Sequence, residues 1–341
     1  MKGLVIKKWL AISFIAGMVA GALGLHYSYH WLFHRNDTKA IDSLRSNRDS
    51  KSEFSFINPL LICDSGRTEF RRLAPFKEEL QNEIDSIRAK GLAEEVGVYY
   101  RDINSGYWLG ISEEESFYPA SLSKVPLMMG VLKLAETDPG LLQREARYNG
   151  PMDRGQTFPP GVGLQSGKKY TVMAVLVDLI ENSDNRAVWM LNELFDEKKL
   201  LEPVFHELGI PPYRNGEIKI NLKEYAMFFR VLFNATYLNR EMSELALELL
   251  SQPEMKEAIV AGLPSNVPSV HKFGILNTDP QHAQLHDCGI VYYPRNPYLL
   301  CVMTKGPDHD KLTESIREVS AFVYKNVDSQ QSLNFLQAEN R

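Results

Sequence analysis

Apolar and polar positions change rhythm several times along the chain. Trp9 to Leu25 (WLAISFIAGMVAGALGL) is an apolar run without a charge, and aromatic residues continue it to Phe33. A helix over residues 9–33 would be long enough to cross about 30 Å of hydrocarbon, so a transmembrane signal anchor is predicted there. Lys2, Lys7 and Lys8 precede it. They predict a cytoplasmic N-terminus at 1–8 and an extracytoplasmic remainder, a single-pass protein of the cell membrane. Ala20-Gly21-Ala22 also fits a cleavage site, the alternative being a cleaved signal peptide. The anchor is preferred because apolar and aromatic character runs on past that site. Residues 34–57 are polar, charged and serine-rich without an apolar period, which predicts a flexible stalk.

From residue 58 the rhythm becomes that of a folded domain. Phe70 to Lys90 has helical spacing and Gly91 stops it. Glu95 to Ile111 holds two β-rich runs around Asn104-Ser105-Gly106, a hairpin signal. Leu122 to Glu136 predicts a strongly apolar helix, and Gly150 to Lys169 a Gly- and Pro-rich loop. Further helices are predicted at Tyr170 to Glu181, Arg186 to Phe195, Leu222 to Asn234 and Glu241 to Leu250. Three strands follow, at Val270 to Ile275, Leu285 to Tyr293 and Tyr298 to Thr304, with a last helix at Lys311 to Asn326. The fold class expected is α/β in the broad sense, α+β in layout. One five-stranded antiparallel sheet is flanked by terminal helices, and the middle of the chain forms an all-helical lobe. The domain spans 58–327, and 328–341 reads as a polar tail.

Composition changes this picture little. Of 341 residues 44% are hydrophobic and 24% charged, and the net charge is −5. That balance excludes wholesale disorder and lacks the basic stripe a nucleic-acid binder needs. Three cysteines are too few for a disulfide scaffold, and none forms CxxC. Cys288 and Cys301 lie on strands joined by Pro294-Arg295-Asn296-Pro297. They are either cross-strand partners in a disulfide or two buried thiols. His26, His30 and His34 have ligand spacing, and His282, His286, Asp287 and Cys288 cluster in sequence. Neither group carries a complete ligand set in a fixed geometry, so no metal and no cofactor is expected.

The chemistry points to one serine. Ser-x-x-Lys occurs three times, at Ser121/Lys124, Ser166/Lys169 and Ser269/Lys272. A serine opening a helix has the lysine three residues on above it on the same face. There a neutral amine takes the hydroxyl proton. Ser166 sits in the glycine-rich loop. Ser269 and Lys272 lie on a predicted strand, where residues three apart face opposite ways. Only Ser121 opens a hydrophobic helix. Ser183-Asp184-Asn185 falls in the break between two apolar helices, where a cap and a cleft are both available readings. His271-Lys272-Phe273-Gly274 puts a lysine on an inner strand, with a glycine that admits close approach of a substrate backbone.

These three elements, in this order, resemble class A β-lactamases and the low-molecular-weight DD-peptidases, whose signatures are Ser-x-x-Lys, Ser-Asp-Asn and Lys-Thr/Ser-Gly. The resemblance covers roughly Arg67 to Val327. It implies Ser121 as nucleophile, Lys124 as its base and Ser183 as proton relay to the leaving group. Lys272 would be the cation beside Ser183, and Asn185 would hold the substrate amide. The backbone N–H groups of Ser121 and Ile275, the residue after Gly274, would form the oxyanion hole. A lysine base working near pH 7 needs its pKa lowered by about 3 units, and burial beside a second cation acts in that direction.

Two departures stand out. The third motif reads Lys-Phe-Gly, so the hydroxyl that helps bind the substrate carboxylate is replaced by Phe273. Thr278 and Thr304 are the candidates to substitute for it. The long loop with the deacylating glutamate is reduced to Ile210 to Ile220, where Glu217 is the sole acid. The resemblance therefore implies a membrane-anchored serine hydrolase or acyl-transferase. It would form an acyl-enzyme with D-Ala-D-Ala-type peptidoglycan stem peptides and with β-lactams, as a monomeric catalytic domain. A class A-like β-lactamase with Glu217 as deacylation base is the alternative, and a catalytically degraded cell-wall binding or scaffold module is the third.

Overall fold

The computed structural model describes residues 55–57, 73–152, 161–211, 217–253, 255–279 and 282–339. The predicted anchor, most of the predicted stalk and Cys63 lie outside them. Among the described residues no helix is long and apolar enough to cross a membrane.

Pro75 stands in the first turn of α1 (Ala74–Ala89), where a missing N–H breaks no helical bond. Phe76, Leu80, Ile84 and Ile87 form its buried stripe. β1 (Glu95–Asp102) and β2 (Trp108–Ile111) make the predicted hairpin, with Val98 opposite Ile111. β3 (Ser116–Phe117) leads into a 3₁₀ turn (Ala120–Ser123) that continues as α2 (Lys124–Ala135). β4 (Glu145–Arg147) and β5 (Lys169–Thr171) pair across the loop region. Then come α3 (Val172–Ile180), α4 (Asn185–Phe195) and α5 (Glu197–Glu207), followed by β6 (Ile220–Asn221), α6 (Leu222–Phe233) and α7 (Arg240–Leu249). β7 (Ser269–Asp279), β8 (His282–Val291) and β9 (Tyr298–Gly306) precede α8 (His309–Glu339). Side chains of Thr171, Asp184, Asp196, Asn221 and Asn239 accept backbone N–H bonds at the starts of α3 to α7. Each such cap stabilises its helix by about 1 kcal/mol.

The sheet has the order β2-β1-β9-β8-β7 and is antiparallel throughout. Period-two alternation splits it between two cores. Val96, Val98 and Tyr100 face α1 and the Leu312, Ile316, Val319 and Val323 stripe of α8. Tyr99, Cys301 and Met303 face the helical lobe, where α2 and α6 are buried. The predicted five strands and the terminal helices are all present, and β3 and β6 form a further small pair.

Two features differ from expectation, and one choice left open by the sequence is decided. α5 has no counterpart in the prediction, because Pro203 lies inside it and reads as a breaker. Leu200 and Val204, both buried, hold it regardless. α8 runs past Asn326 through most of the polar tail. Cys288 and Cys301 face each other in register on β8 and β9, with Cα atoms 4.0 Å apart, and form a disulfide.

Candidate active site

Ser121 sits in the 3₁₀ turn that opens α2, and the turn is held from three directions. Ala120 takes φ +48°, a backbone conformation that disfavours side chains with a Cβ. His286 on β8 bonds the preceding segment through Nε2 to the Tyr118 carbonyl, 3.1 Å away. The Thr304 N–H donates to His286 Nδ1 at 3.2 Å, so Nδ1 is the acceptor and Nε2 carries the proton. From β7, Gly274 lies so close that a Cβ there would stand 2.8 Å from the Pro119 carbonyl oxygen. Gly274 thus admits a close approach of the nucleophile turn itself. It places Ile275, the next residue of β7, alongside Ser121.

Lys124 is buried one turn above Ser121. Its Nζ lies 3.0 Å from Ser121 Oγ, 3.1 Å from Ser183 Oγ and 2.8 Å from Asn185 Oδ1, and it also bonds the Ser183 carbonyl. Two of these partners, the Ser183 carbonyl and Asn185 Oδ1, only accept. They take both N–H groups of a neutral amine and leave its lone pair toward the two hydroxyls, which can donate. Burial lowers the Lys124 pKa to about 7, against a smaller opposing effect from the Asp184 carboxylate. A neutral amine is thus available at neutral pH.

Lys272 is fully buried on β7 and its Nζ lies 3.0 Å from Ser183 Oγ. Burial, then repulsion from Lys124, holds its pKa well below that of a free lysine, while Asp287 acts the other way. Its Nζ also lies 4.1 Å from the centre of the Phe273 ring. An aromatic face attracts a cation, so Phe273 favours the protonated form of Lys272 although it supplies no hydroxyl. The Thr304 hydroxyl is committed to the Leu285 carbonyl at 2.6 Å. The side chain of Thr278 lies outside the described residues.

Ser183-Asp184-Asn185 serves as cap and as cleft at once. Asp184 accepts the Arg186 and Leu164 N–H groups and pairs with the Arg186 guanidinium at 3.0 Å, fully buried. Gly163, at φ +108°, is required beside it, because a Cβ would collide with the Asp184 carboxylate. With Asp184 so held, its neighbours Ser183 and Asn185 both meet Lys124. Ser183 itself has φ +51°.

Glu217 makes its bonds outside this cluster. It accepts from Tyr118 Oη at 2.7 Å and pairs with Lys219 at 2.7 Å on the exposed rim. The Lys219 and Tyr118 hydrogen bonds lower its pKa, making it a weaker base. His286 and Asp287, both in the sequence cluster that resembled a metal site, bond in different places. Asp287 accepts from the Ile259 N–H and bonds His271 Nδ1 at 2.8 Å. Among the described residues no group of three His, Cys, Asp or Glu is placed to hold a metal ion. His286 as a support of the nucleophile turn has no sequence signature; only the register of β8 shows it.

His286 also predicts an acid sensitivity. Burial holds its pKa at about 4, below the ordinary 6.5, despite its backbone hydrogen bonds. The unfolded chain takes up this proton near pH 6.5 and the folded one only near pH 4, so stability is full above 6.5 and falls toward 4. The loss is about 3 kcal/mol. Denaturant midpoints of wild type and His286→Gln at pH 7.5 and 4 measure it. The variant is expected to show the smaller fall, and equal falls would refute the assignment.

Residues 75–327 match the model of the beta-lactamase enzyme family. No curated protein matches the chain. Among solved structures, a class A beta-lactamase from Mycobacterium abscessus superposes with TM-score 0.63 at 18% identity, covering 73% of this chain and 99% of that one. A beta-lactamase from Chitinophaga pinensis gives TM-score 0.64 at 16% identity, with 73% and 99% covered. PBP-A gives TM-score 0.61 at 20% identity, with 81% and 99% covered. A variant of PBP-A, TM-score 0.60 at 20% identity with 74% and 97% covered, is an acyl-enzyme complex with penicillin G. At these identities the structures speak for the fold.

Proposed function

Because the chain belongs to the beta-lactamase enzyme family, a serine hydrolase family, we propose that it forms an acyl-enzyme at Ser121 with D-alanyl-D-alanine-type stem peptides of peptidoglycan, and with β-lactams in the same way. The observation that carries this reading is the Lys124 amine, 3.0 Å from Ser121 Oγ with its pKa brought to about 7. Lys124 takes the Ser121 proton as Oγ bonds the substrate carbonyl carbon. The N–H groups of Ser121 and Ile275 stabilise the oxyanion. The proton passes through Ser183, bonded to both lysines, to the leaving nitrogen as the C–N bond breaks. Asn185 orients the substrate amide. Water then cleaves the ester, releasing the shortened peptide and restoring the Ser121 hydroxyl.

Deacylation is the slow half. General-base assistance is worth about 10²–10⁴-fold, and Glu217 is tied to Tyr118 and Lys219. That pairing disfavours the β-lactamase reading, and the intact lysine–serine cluster disfavours a degraded binding module. The charge-free run at 9–33 would hold the domain on the outer face of the membrane, beside peptidoglycan. The full chain treated with a fluorescent penicillin is expected to keep a covalent label through denaturing electrophoresis, located on Ser121 by mass spectrometry and lost slowly after the free probe is removed. Rapid release of ring-opened penicillin would establish the β-lactamase instead. A label on another residue, or none, would sink the proposal.

A further inference from the structure

Resting on Ser121 as nucleophile, we infer that a cavity of about 540 Å³ beside the nucleophile turn receives a bulky apolar substituent on the acyl side of the substrate. The cavity is walled by Ala120, Pro126, Leu201, Phe205, Ile218 and Leu276. Its position follows from the backbone. Ala120 immediately precedes Ser121, and Leu276 immediately follows Ile275. A carbonyl held between the N–H groups of Ser121 and Ile275 therefore has the cavity wall one residue away on both sides. The leaving nitrogen must face Ser183 to receive its proton, which turns the acyl substituent away from Ser183.

The chemistry of the walls sets the class of group. Ordinary small-molecule pockets run from about 300 to 1,000 Å³ and are mostly apolar, so an aromatic ring or a branched or extended alkyl chain fits in size. The charges at the rim are matched: Lys219 with Glu217 at 2.7 Å and Lys198 with Glu202 at 3.5 Å. No fixed charge is thereby left to recruit an anionic group. Ile218 is 56% exposed, so part of the apolar wall is open to an entering group.

The test uses the full chain and a series of penicillins that differ only in a straight acyl side chain of increasing length. Acylation of Ser121 is timed by competition with the fluorescent probe. Rates are expected to rise by up to about fourfold per methylene, the value of complete apolar burial, until the cavity is filled. In Leu201→Trp, which fills the cavity, the ratio of long-chain to short-chain rates should fall toward one. Ile218→Trp, at an exposed position that folding tolerates, should lower the same ratio. A series that labels Ser121 at equal rates in wild type would overturn the inference and leave the acyl-enzyme reading standing. A ratio that both variants leave untouched would overturn it as well. Failure of every member to label Ser121 would overturn the acyl-enzyme reading, and the inference with it.

Discussion

Exchange of Lys124 for methionine is expected to slow acylation of Ser121 by fluorescent penicillin by about 10²–10⁴-fold, the usual worth of a positioned general base. Methionine keeps the length and the apolar stem but has no lone pair of useful basicity. The pH profile separates loss of a base from loss of packing. In wild type the reactive form is the neutral amine, so the rate should climb tenfold per pH unit on the acid side and level off above about 7, where Lys124 titrates. In the variant that limb should vanish. A variant as fast as wild type, or one slower but with the acid limb intact near pH 7, would remove Lys124 from the role of base. Ser121→Ala should take no label at any pH.

Asp184→Ala is expected to cost about 3–5 kcal/mol of stability, the usual effect of removing one partner from a buried ion pair. The Arg186 guanidinium would be left buried without its carboxylate, and the Leu164 and Arg186 N–H groups without their acceptor. Chemical denaturation measures the loss, and a cost below 1 kcal/mol would contradict this account of the pair. Replacing both members with apolar residues, Asp184→Leu with Arg186→Met, should recover much of it, because neither buried charge then stands alone. The single variant also carries a kinetic signature. Asp184 raises the Lys124 pKa, so its removal should move the acid limb of the acylation profile to lower pH. A purely structural role would leave that limb in place.

The parts of the fold that could be read from sequence are those with long, unambiguous periods. The α1 stripe from Phe76 to Ile87 and the hairpin around Asn104-Ser105-Gly106 gave themselves away by local spacing alone. Among three Ser-x-x-Lys pairs, the helical context of Ser121 singled out the one whose lysine meets its serine; Ser166 is exposed in a loop and Ser269 lies on β7. What stayed hidden depends on long-range register and packing. α5 contains a proline that local rules count against it. The Cys288–Cys301 bond needed the alignment of β8 with β9, and His286 needed its position opposite the Tyr118 carbonyl. The close approach at Gly274 was legible, but the contact of Gly274 with the Pro119–Leu122 turn was not. The cavity beside Ser121 is walled by residues of α2, α5, β6 and β7 that lie far apart in the chain, and no residue pattern announces an empty space.

The sheet order carries one more consequence. β1 pairs along its length with β9, so Glu95 sits opposite Lys305, 210 residues further on. Pairings so distant fold slowly, since a long loop must close before any contact rewards it. The supports of the nucleophile turn, Gly274 and His286, also come late in the chain. During synthesis, then, Ser121 and Lys124 emerge early as an inert pair on an unfinished scaffold. The Lys272 bond to Ser183 and the supports of the turn can form only after β7 and β8 have been made, so the cluster around Ser121 is among the last parts of the domain to be completed.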